Sequence, residues 1–399
     1  MSVHAQRQPA AFFAARVREL APSPTLAVSD RARALKAQGI DVIDLGGGDP
    51  DFITPAHVRR VAADAMNAGD THYVSSSGTP ALRQAIAAKL LADNGITVQS
   101  NGGVVVTPGG KQALFEATLA LVEPGVDVMI LEPAWVSYVP MVELAGGRAV
   151  PVALDPDARF RVTAEQLAAA FTPASRVLFV NSPNNPTGRV LDDEELSAIV
   201  EFATANDLLV FSDEIYEKIV FDGQRHQSIA ALPGMADRTL TFNGFSKAYA
   251  MTGWRLGYVA GPTALIEQVE KVHSHSATCA TSFAQAAGVT ALTGPQDFIG
   301  EMVSAWDRRR RAVSHGLSAI DGVECPLAEG AFYAFPDMRG RGLNSSEIAD
   351  LLLREAHVAV TPGIAFGDAG EGHVRLSFAT SDELLEQAVE RIATCLRTR

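Results

Sequence analysis

Short apolar runs rich in β-branched residues alternate along the chain with longer segments in which apolar residues recur at helical spacing. The short runs are bounded by glycine, proline or asparagine, which is typical of strands. These predicted strands cover residues 104–107, 126–131, 149–152, 177–181, 208–212, 239–243 and 256–260. They are the first indication of a large sheet.

Predicted helices separate most of these strands. Thr54, Thr79 and Thr163 stand where a helix-capping residue is expected, just before segments with helical spacing. Further helices are predicted at residues 111–122, 136–144 and 192–206. Because parallel strands need crossover connections, this alternation predicts an α/β fold with a mostly parallel seven-stranded sheet.

The pattern changes after residue 263. Helices are predicted at 263–273 and 297–320, and strands at 331–336 and 373–378, among further helical segments. This mixture predicts a second, smaller α+β domain. The chain has no Ser/Gly-rich linker, so we expect a long helix to join the two domains.

Composition and charge narrow the class of protein. The 399 residues are 47% hydrophobic and 20% charged, as in folded globular proteins, and 33 basic against 46 acidic residues give a net charge of −13. This acidic balance disfavours nucleic acid or an anionic membrane as a partner.

Cysteine usage and the N-terminal segment bear on localisation. The three cysteines form neither a CxxC pair nor an even framework, which favours a reducing compartment. Residues 1–18 carry Arg7, Arg16 and Arg18 and weakly resemble a transit peptide, but an amphipathic helix is the preferred interpretation. We therefore predict a cytoplasmic protein.

Common nucleotide and metal motifs are not matched. Gly110-Lys111 lacks the first glycine of a phosphate-binding P-loop, and Gly46-Gly47-Gly48 lacks the later glycine of a dinucleotide turn. The nine histidines contain no HExxH pair. The sequence predicts neither an ATP, an NAD nor a metal site.

Lysine is scarce and therefore informative. Lys36, Lys89, Lys218 and Lys271 fit solvated faces of helices or charged segments. Lys247 instead lies in an uncharged, semi-apolar segment after a predicted strand, where the ammonium form is disfavoured and its pKa is lowered. A lysine that forms a Schiff base needs such surroundings, although alone the segment fits a lysine extending from a strand end equally well.

Several longer segments occur together with Lys247. They are residues 45–52, 107–114, 133–138, 181–188 (NSPNNPTG), 212–216 (SDEIY), 246–258 (SKAYAMTGWRLGY) and 374–377. In this order they closely resemble the class I aminotransferases, pyridoxal-phosphate enzymes of fold type I, over nearly the whole chain. The similarity is greatest to the aspartate aminotransferase branch.

The resemblance implies a role for each matched residue. Lys247 would hold the cofactor covalently and act as the catalytic base, Asp213 would pair with the protonated ring nitrogen, and Tyr216 would donate to the phenolic oxygen of the cofactor. The implied cofactor-binding residues are Gly109, Gly110, Lys111, Trp135, Asn185, Asp213, Tyr216, Ser246, Lys247, Arg255 and Tyr73. Tyr73 would reach the cofactor of a neighbouring subunit, which implies a homodimer with shared sites.

The same resemblance implies a substrate site and a domain division. Arg375 would bind the α-carboxylate of an amino acid with its planar guanidinium, assisted by Gly48, Trp135 and Asn185. The division is an N-terminal segment 1–50 that completes the small domain, a large pyridoxal-phosphate-binding domain 51–290 and a small α+β domain 291–399. Gly244 departs from the family pattern, because many relatives have a phosphate-binding serine there.

The predicted activity is amino transfer from an aspartate-like amino acid to a 2-oxo acid such as 2-oxoglutarate, by a ping-pong mechanism. A β-eliminating C–S lyase of the same fold, or an aminotransferase for aromatic or other amino acids, remains an alternative. An effector-sensing regulator of this fold is disfavoured, because only about 25 residues precede the first helical pattern and the net charge is −13.

Overall fold

A computed structural model of the protein describes residues 12–18 and 20–397. The strands are β1 (Ile43–Asp44), β2 (Val104–Thr107), β3 (Asp127–Glu132), β4 (Arg148–Ala153), β5 (Ser175–Asn181), β6 (Leu209–Asp213), β7 (Thr239–Gly244), β8 (Gly257–Ala260), β9 (Tyr333–Ala334), β10 (Val358–Ala359), β11 (Thr361–Pro362) and β12 (Val374–Ser377). The helices are α1 (Ala15–Arg18), α2 (Pro24–Ala37), α3 (Ala56–Asn67), α4 (Pro80–Asn94), α5 (Gly110–Leu121), α6 (Tyr138–Ala145), α7 (Ala164–Ala170), α8 (Asp193–Ala205), α9 (Thr263–Ser276), α10 (Ser282–Thr293), α11 (Asp297–Ser318), α12 (Ser345–Leu351) and α13 (Asp382–Arg397).

The seven predicted strands form one sheet in the order β2-β8-β7-β6-β5-β3-β4. All neighbouring pairs are parallel except those of β8, which runs antiparallel to β2 and β7. The prediction of an α/β fold with a mostly parallel sheet is therefore confirmed. The carboxyl ends of β5, β6 and β7 meet at one edge of the sheet, where Asn181, Asp213 and Gly244 end their strands.

Aromatic packing supports this edge from one face of the sheet. The rings of Phe179, Phe211 and Phe242 on β5, β6 and β7 follow one another at centroid distances of 5.0 and 5.2 Å. All three side chains are buried. Phe211 stands two residues before Asp213, and side chains two apart point to the same face of a strand. The Asp213 carboxylate thus extends from the end of a packed aromatic row.

Two of the three predicted caps are found, but the prediction for Thr54 is wrong: the N-cap of α3 is Pro55, and the Thr54 hydroxyl donates to the Ala250 carbonyl oxygen instead. Thr79 accepts a hydrogen bond from the Leu82 amide, and Thr163 forms a reciprocal capping box with Gln166 at the start of α7. Helix α4 ends at Gly95, which adopts a left-handed conformation with φ of 70°. Of the N-terminal segment predicted to be an amphipathic helix, residues 1–11 lie outside the described part, and α1 covers Ala15–Arg18.

Two small sheets use strands from the remaining chain. β1 pairs in parallel with β10, and β12 pairs antiparallel with both β11 and β9. A separate apolar cluster around Trp306 and Phe332 packs these strands against α11 and α13. The strand β1 of the N-terminal segment thus pairs with β10, more than 300 residues later. We therefore keep, as a proposal, the division into an N-terminal segment 1–50 that completes the small domain, a large domain 51–290 and a small domain 291–399. Among the described residues, no helix is long and apolar enough to cross a membrane.

Three glycines allow close packing behind the start of α5. A Cβ atom at Gly257 would lie 2.3 Å from the Gly110 nitrogen and 2.6 Å from the Gly109 carbonyl carbon. Because these contacts are backbone atoms, they could make room for a Cβ only if the loop before α5 moved. The start of β8 therefore fixes the position of the loop before α5.

We expect Gly257→Ala to lower the free energy of unfolding by about 1–3 kcal/mol, because the added methyl group would overpack this contact. Gly253→Ala is the matched control, since a Cβ there meets nothing within 4 Å. It should change the free energy by less than about 0.5 kcal/mol. Urea unfolding of the two cofactor-free variants measures both values, and equal losses would contradict this account of the loop.

Candidate active site

A cavity of about 470 Å³ lies at the edge where the parallel strands end. Ligands of open α/β sheets bind at such edges. Most of the residues predicted for the site line this cavity: Gly48, Gly110, Lys111, Trp135, Asn185, Asp213, Tyr216, Ser246, Lys247, Arg255 and Arg375. The fold thus brings together residues that are far apart in sequence, as Gly48 and Arg375 are, 327 positions from each other.

Lys247 lies in the turn that follows β7, and its ammonium donates a hydrogen bond to the Gly48 carbonyl oxygen. Burial lowers the pKa of Lys247 to about 8, with Arg375 and Arg255 acting in the same direction against the opposing charges of Asp49 and Asp213. About a tenth of this lysine is therefore a neutral nucleophile at pH 7. The sequence-based prediction of a lowered pKa agrees with this environment.

Asp213 ends β6 with its carboxylate buried. The Tyr138 hydroxyl donates to Asp213 Oδ2 at 2.7 Å, and the Ile215 amide donates to Oδ1 at 3.3 Å. Burial raises the pKa of Asp213 to about 6, although these two hydrogen bonds and Lys247 oppose the rise. At neutral pH the group is mostly a carboxylate with a strong demand for a cationic partner.

The Tyr216 and Tyr333 hydroxyl oxygens lie 2.8 Å apart, and both residues are buried. Burial raises the pKa of each phenol. Tyr216 therefore stays a neutral hydrogen-bond donor over the physiological pH range.

Arg375 on β12 is buried and lines the same cavity as Asp213. Its Nη1 donates to Asn185 Oδ1 at 2.9 Å, its Nη2 donates to the Gly46 carbonyl, and its Nε has no hydrogen-bond partner. The guanidinium carbon lies 4.5 Å from the centre of the Tyr333 ring. Burial lowers the pKa of Arg375, but arginine remains charged in proteins, so its free hydrogen-bonding capacity suits an anion.

A second anion-binding feature stands at the start of α5. Gly109 has φ of +92°, and a Cβ there would lie 2.5 Å from Arg255 Nη2, so only glycine leaves room beside the guanidinium. Free amides at the helix start and the Arg255 cation are the donors that a phosphate group requires. Gly110 lines the cavity, whereas Gly109 precedes it in the chain and does not line the cavity.

Trp135 and Lys111 form the wall beside this loop. The Trp135 ring packs edge-on against Tyr138 at 5.3 Å, and Lys111 Nζ lies 4.8 Å from the centre of the indole. Partial burial and the nearby Arg255 lower the pKa of Lys111. The lysine thus adds positive charge to an aromatic wall.

Gly244 stands where many relatives have a phosphate-binding serine, and the packing around it explains why a side chain is disfavoured there. A Cβ atom there would meet the Gly257 Cα at 3.0 Å and the Leu256 carbonyl oxygen at 3.1 Å. A side chain at this position would therefore press on β8. Ser246, two residues later, lines the cavity with a hydroxyl group.

Two sequence-based predictions concern residues outside the cavity, Tyr73 and Lys89. Tyr73 is 86% exposed and does not line the cavity of its own chain. The prediction that Lys89 is a solvated surface residue is wrong, because Lys89 is buried and pairs with Glu217. The helical pattern of α4 indicates which residues share a face of the helix. It does not show that Glu217, 128 residues later, lies against Lys89.

Sequence reasoning assigned no role to three polar residues that shape the site: Tyr138, Asn181 and Tyr333. Asn181 donates to the Asp213 carbonyl at 2.9 Å and accepts from the Asn185 amide at 2.8 Å. Tyr138 and Asn181 belong to quoted motifs, so their polar type at a strand end or helix start was an available signal. Tyr333 lies in a segment whose pattern indicated only a strand.

A cavity with a nucleophilic lysine, a buried acid, an anion-binding helix start and a second buried guanidinium fits an enzyme that combines a phosphorylated cofactor with a carboxylate substrate. Residues 40–392 match the family model "Aminotransferase class I and II". The chain belongs to this aminotransferase family, and the resemblance identified from the sequence is confirmed.

Particular relatives cover nearly the whole chain. An aspartate aminotransferase of Musicola paradisiaca is 44% identical over 382 residues, 96% of each chain. An aromatic-amino-acid aminotransferase of Thermococcus litoralis is 42% identical over 366 residues, 91% of this chain and 94% of its own. The crystal structure of the aspartate aminotransferase of Rhizobium meliloti matches with a TM-score of 0.93 at 42% identity, covering 96% of this chain and 98% of that one.

The lowered pKa of Lys247 predicts an unusual reactivity of the cofactor-free protein. Acetylation by a trace of acetic anhydride requires a neutral amine, so the rate constant at Lys247 should rise with pH around a midpoint of about 8 and then level off. Peptide mass mapping over a series of pH values measures the rate, and Lys247→Arg is the control for the assignment of the peptide. A rate at Lys247 that still rises tenfold per pH unit between pH 9 and 10 would contradict the lowered pKa.

Proposed function

We propose that this aminotransferase uses pyridoxal 5′-phosphate to move the amino group of aspartate to a 2-oxo acid, 2-oxoglutarate in the first place, by a ping-pong mechanism. The single observation that supports this most directly is the convergence of Lys247, Asp213 and Arg375 on one cavity. They supply a nucleophilic amine, an acid for a cationic ring and a clamp for a carboxylate.

The residues present fit pyridoxal phosphate. The start of α5 at Gly109 and Gly110, with Arg255 and Ser246, would hold the phosphate, and Trp135 would face the ring. Tyr216 and Asn185 would donate to its phenolic oxygen. When bound, the cofactor supplies an electron sink for the carbanion formed at the amino acid Cα.

The chain's own groups then perform the proton chemistry. Asp213, held by Tyr138, would keep the ring nitrogen of a bound cofactor protonated, because a buried carboxylate stabilises an adjacent cation in low dielectric. Lys247 Nζ would hold the cofactor covalently in the resting enzyme and, as a free amine, would accept the Cα proton of the amino acid and return it. A pKa of about 8 suits both roles near neutral pH.

Substrate binding follows from the charged residues that line the cavity. Arg375 would bind the α-carboxylate together with the Gly48 backbone, Asn185 and Trp135. Lys111, above the Trp135 ring, is a cation for the distal carboxylate of aspartate. The relatives named aspartate aminotransferase favour this donor. The relative named for aromatic amino acids makes these the principal alternative.

Assembly and localisation are part of the same proposal. Tyr73 is 86% exposed and Ile53 78% exposed, which fits a surface that a second copy covers, with Tyr73 reaching the partner's cofactor. We therefore propose a homodimer with shared sites. The cysteine pattern supports a cytoplasmic location.

The donor assignment can be tested in the half-reaction. Mixing the holoenzyme with aspartate or glutamate alone should abolish the visible absorption of the bound cofactor, whereas phenylalanine and lysine should act far more slowly. Lys111→Gln should lower kcat/KM for aspartate about tenfold, the effect of losing one charged hydrogen bond, and that for phenylalanine less than twofold. Lys271→Gln, at an exposed position on α9, is the matched control. Faster reaction with aromatic amino acids would overturn the assignment, and pyruvate and ammonia formed from a cysteine conjugate without an acceptor would indicate a lyase.

Arg375→Lys tests the carboxylate clamp. A lysine keeps the positive charge but loses the planar pair of donors, so kcat/KM for every amino acid donor should fall about 100-fold or more, equivalent to losing a buried charged contact. Arg391→Lys, which alters a contact with Asp41 between residues that do not line the cavity, should change it less than about twofold. Steady-state kinetics at matched cofactor saturation measure both. A loss restricted to dicarboxylic donors would place the distal rather than the α-carboxylate at Arg375.

A further inference from the structure

A buried group of charged and polar side chains lies behind the turn that carries Asp213 and Tyr216. This group, the rear cluster, consists of Glu214, Glu217, Lys89, Asn94, His226 and Ser228. Glu214 is fully buried, and the side chains of Glu217, Lys89 and His226 are 8%, 5% and 6% exposed. None of the six lines the active-site cavity.

The alternation of side chains along the chain connects the two sites. Asp213 and Tyr216 face the cavity, whereas Glu214 and Glu217 point into the rear cluster. The Glu217 amide donates to the Glu214 carbonyl at 3.0 Å, which closes a tight turn. A movement of Glu214 and Glu217 would therefore also displace Asp213 and Tyr216, which are their neighbours in the chain.

Hydrogen bonds anchor both glutamates to other elements. Lys89 on α4 bonds to Glu217 and, at 2.6 Å, to Asn94 Oδ1. Asn94 Nδ2 donates to Glu217 Oε2 at 2.6 Å and to Ser228 Oγ at 2.7 Å.

Glu214 is also held by hydrogen bonds. Its carboxylate accepts from Ser228 at 2.6 Å, from Ser212 at 2.8 Å and from His226 Nε2, which lies 3.0 Å away. Both carboxylates are thus held by side chains from outside the turn.

Charge compensation explains the partners of the two glutamates. A buried carboxylate needs a cation or hydrogen-bond donors beside it, and among the described residues Lys89 contacts Glu217 and His226 contacts Glu214. Burial alone would lower the pKa of His226, but Glu214 outweighs it and raises the pKa. Glu214, Glu217 and His226 have ligand atoms within 4.8 Å of one another, as metal ligands do, yet Lys89 and Asn94 already occupy the Glu217 oxygens.

We propose that Lys89 and His226 are positioning residues of the aminotransferase: by neutralising and fixing Glu217 and Glu214 from behind, they hold the turn that presents Asp213 and Tyr216 to the cofactor. This inference deepens the proposed function and rests on it. With pyridoxal phosphate bound, a small displacement at the turn would weaken the contact of Asp213 with the ring nitrogen, which would alter the electronic state of the cofactor rather than substrate binding.

The test is a charge-removal cycle on the holoenzyme. Lys89→Met leaves Glu217 buried and unpaired, so it should lower kcat about tenfold or more while the KM for aspartate stays within about twofold. It should also shift the pH midpoint of the visible absorption of the bound cofactor by about half a unit or more. Adding Glu217→Gln removes the unpaired charge and should restore both readouts to within about threefold and 0.2 units of the wild type.

Lys218→Met is the matched control, because Lys218 follows Glu217 directly but bonds to Asp93 at 2.7 Å. It should leave both readouts unchanged. If Lys89→Met is not soluble, His226→Gln with the same readouts replaces it, since it removes the imidazole that contacts Glu214, and Glu214→Gln is then the rescuing substitution. A lowered melting temperature with unchanged spectrum and kcat, or no rescue by Glu217→Gln, would overturn the positioning role. Failure of the proposed function is distinguishable, because the wild type would then show no cofactor spectrum that responds to amino acids.

Discussion

The structure depends on one balance: Lys247 must be buried enough to lose its proton near neutral pH, yet it must lie among groups that bind charge. Burial supplies the lowering of the pKa, and two arginines reinforce it, whereas Asp49 and Asp213 limit it. A fully apolar cavity would hold no phosphate and no carboxylate. A fully polar one would keep the amine protonated.

This balance is possible because two charged groups of the cavity are fixed by neutral partners. Tyr138 and the Ile215 amide hold Asp213, and Asn185 and the Gly46 carbonyl hold Arg375. Neutral hydrogen bonds orient the charges without cancelling them. Asp213 and Arg375 therefore keep their capacity to bind opposite charges of a cofactor and a substrate.

Much of the large sheet was predictable from sequence, because strands buried on both faces read as continuous apolar runs. β2 was predicted with its observed bounds, and β6 was displaced by one residue. Short strands such as β1 and β10 have two residues each and pair across more than 300 positions, so no local pattern reveals them. The motif residues of the cavity were found through the family resemblance rather than through periodicity.

What the sequence could not provide is the partnership between distant side chains. Lys89 was misinterpreted because Glu217 is distant in sequence, and Tyr333 was overlooked because its contact with Tyr216 spans 117 positions. Such contacts depend on how α4 and the small sheets are placed against the turn after β6. That placement follows from tertiary packing, which composition and spacing do not encode locally.

The most direct measurement is reduction of the holoenzyme with borohydride, followed by peptide mass mapping. A covalent bond between the cofactor and an amine becomes permanent on reduction, and we expect the pyridoxyl group on residue 247 at one per chain. Attachment to another of the lysines, or no attachment with saturating pyridoxal phosphate, would contradict the central role of Lys247.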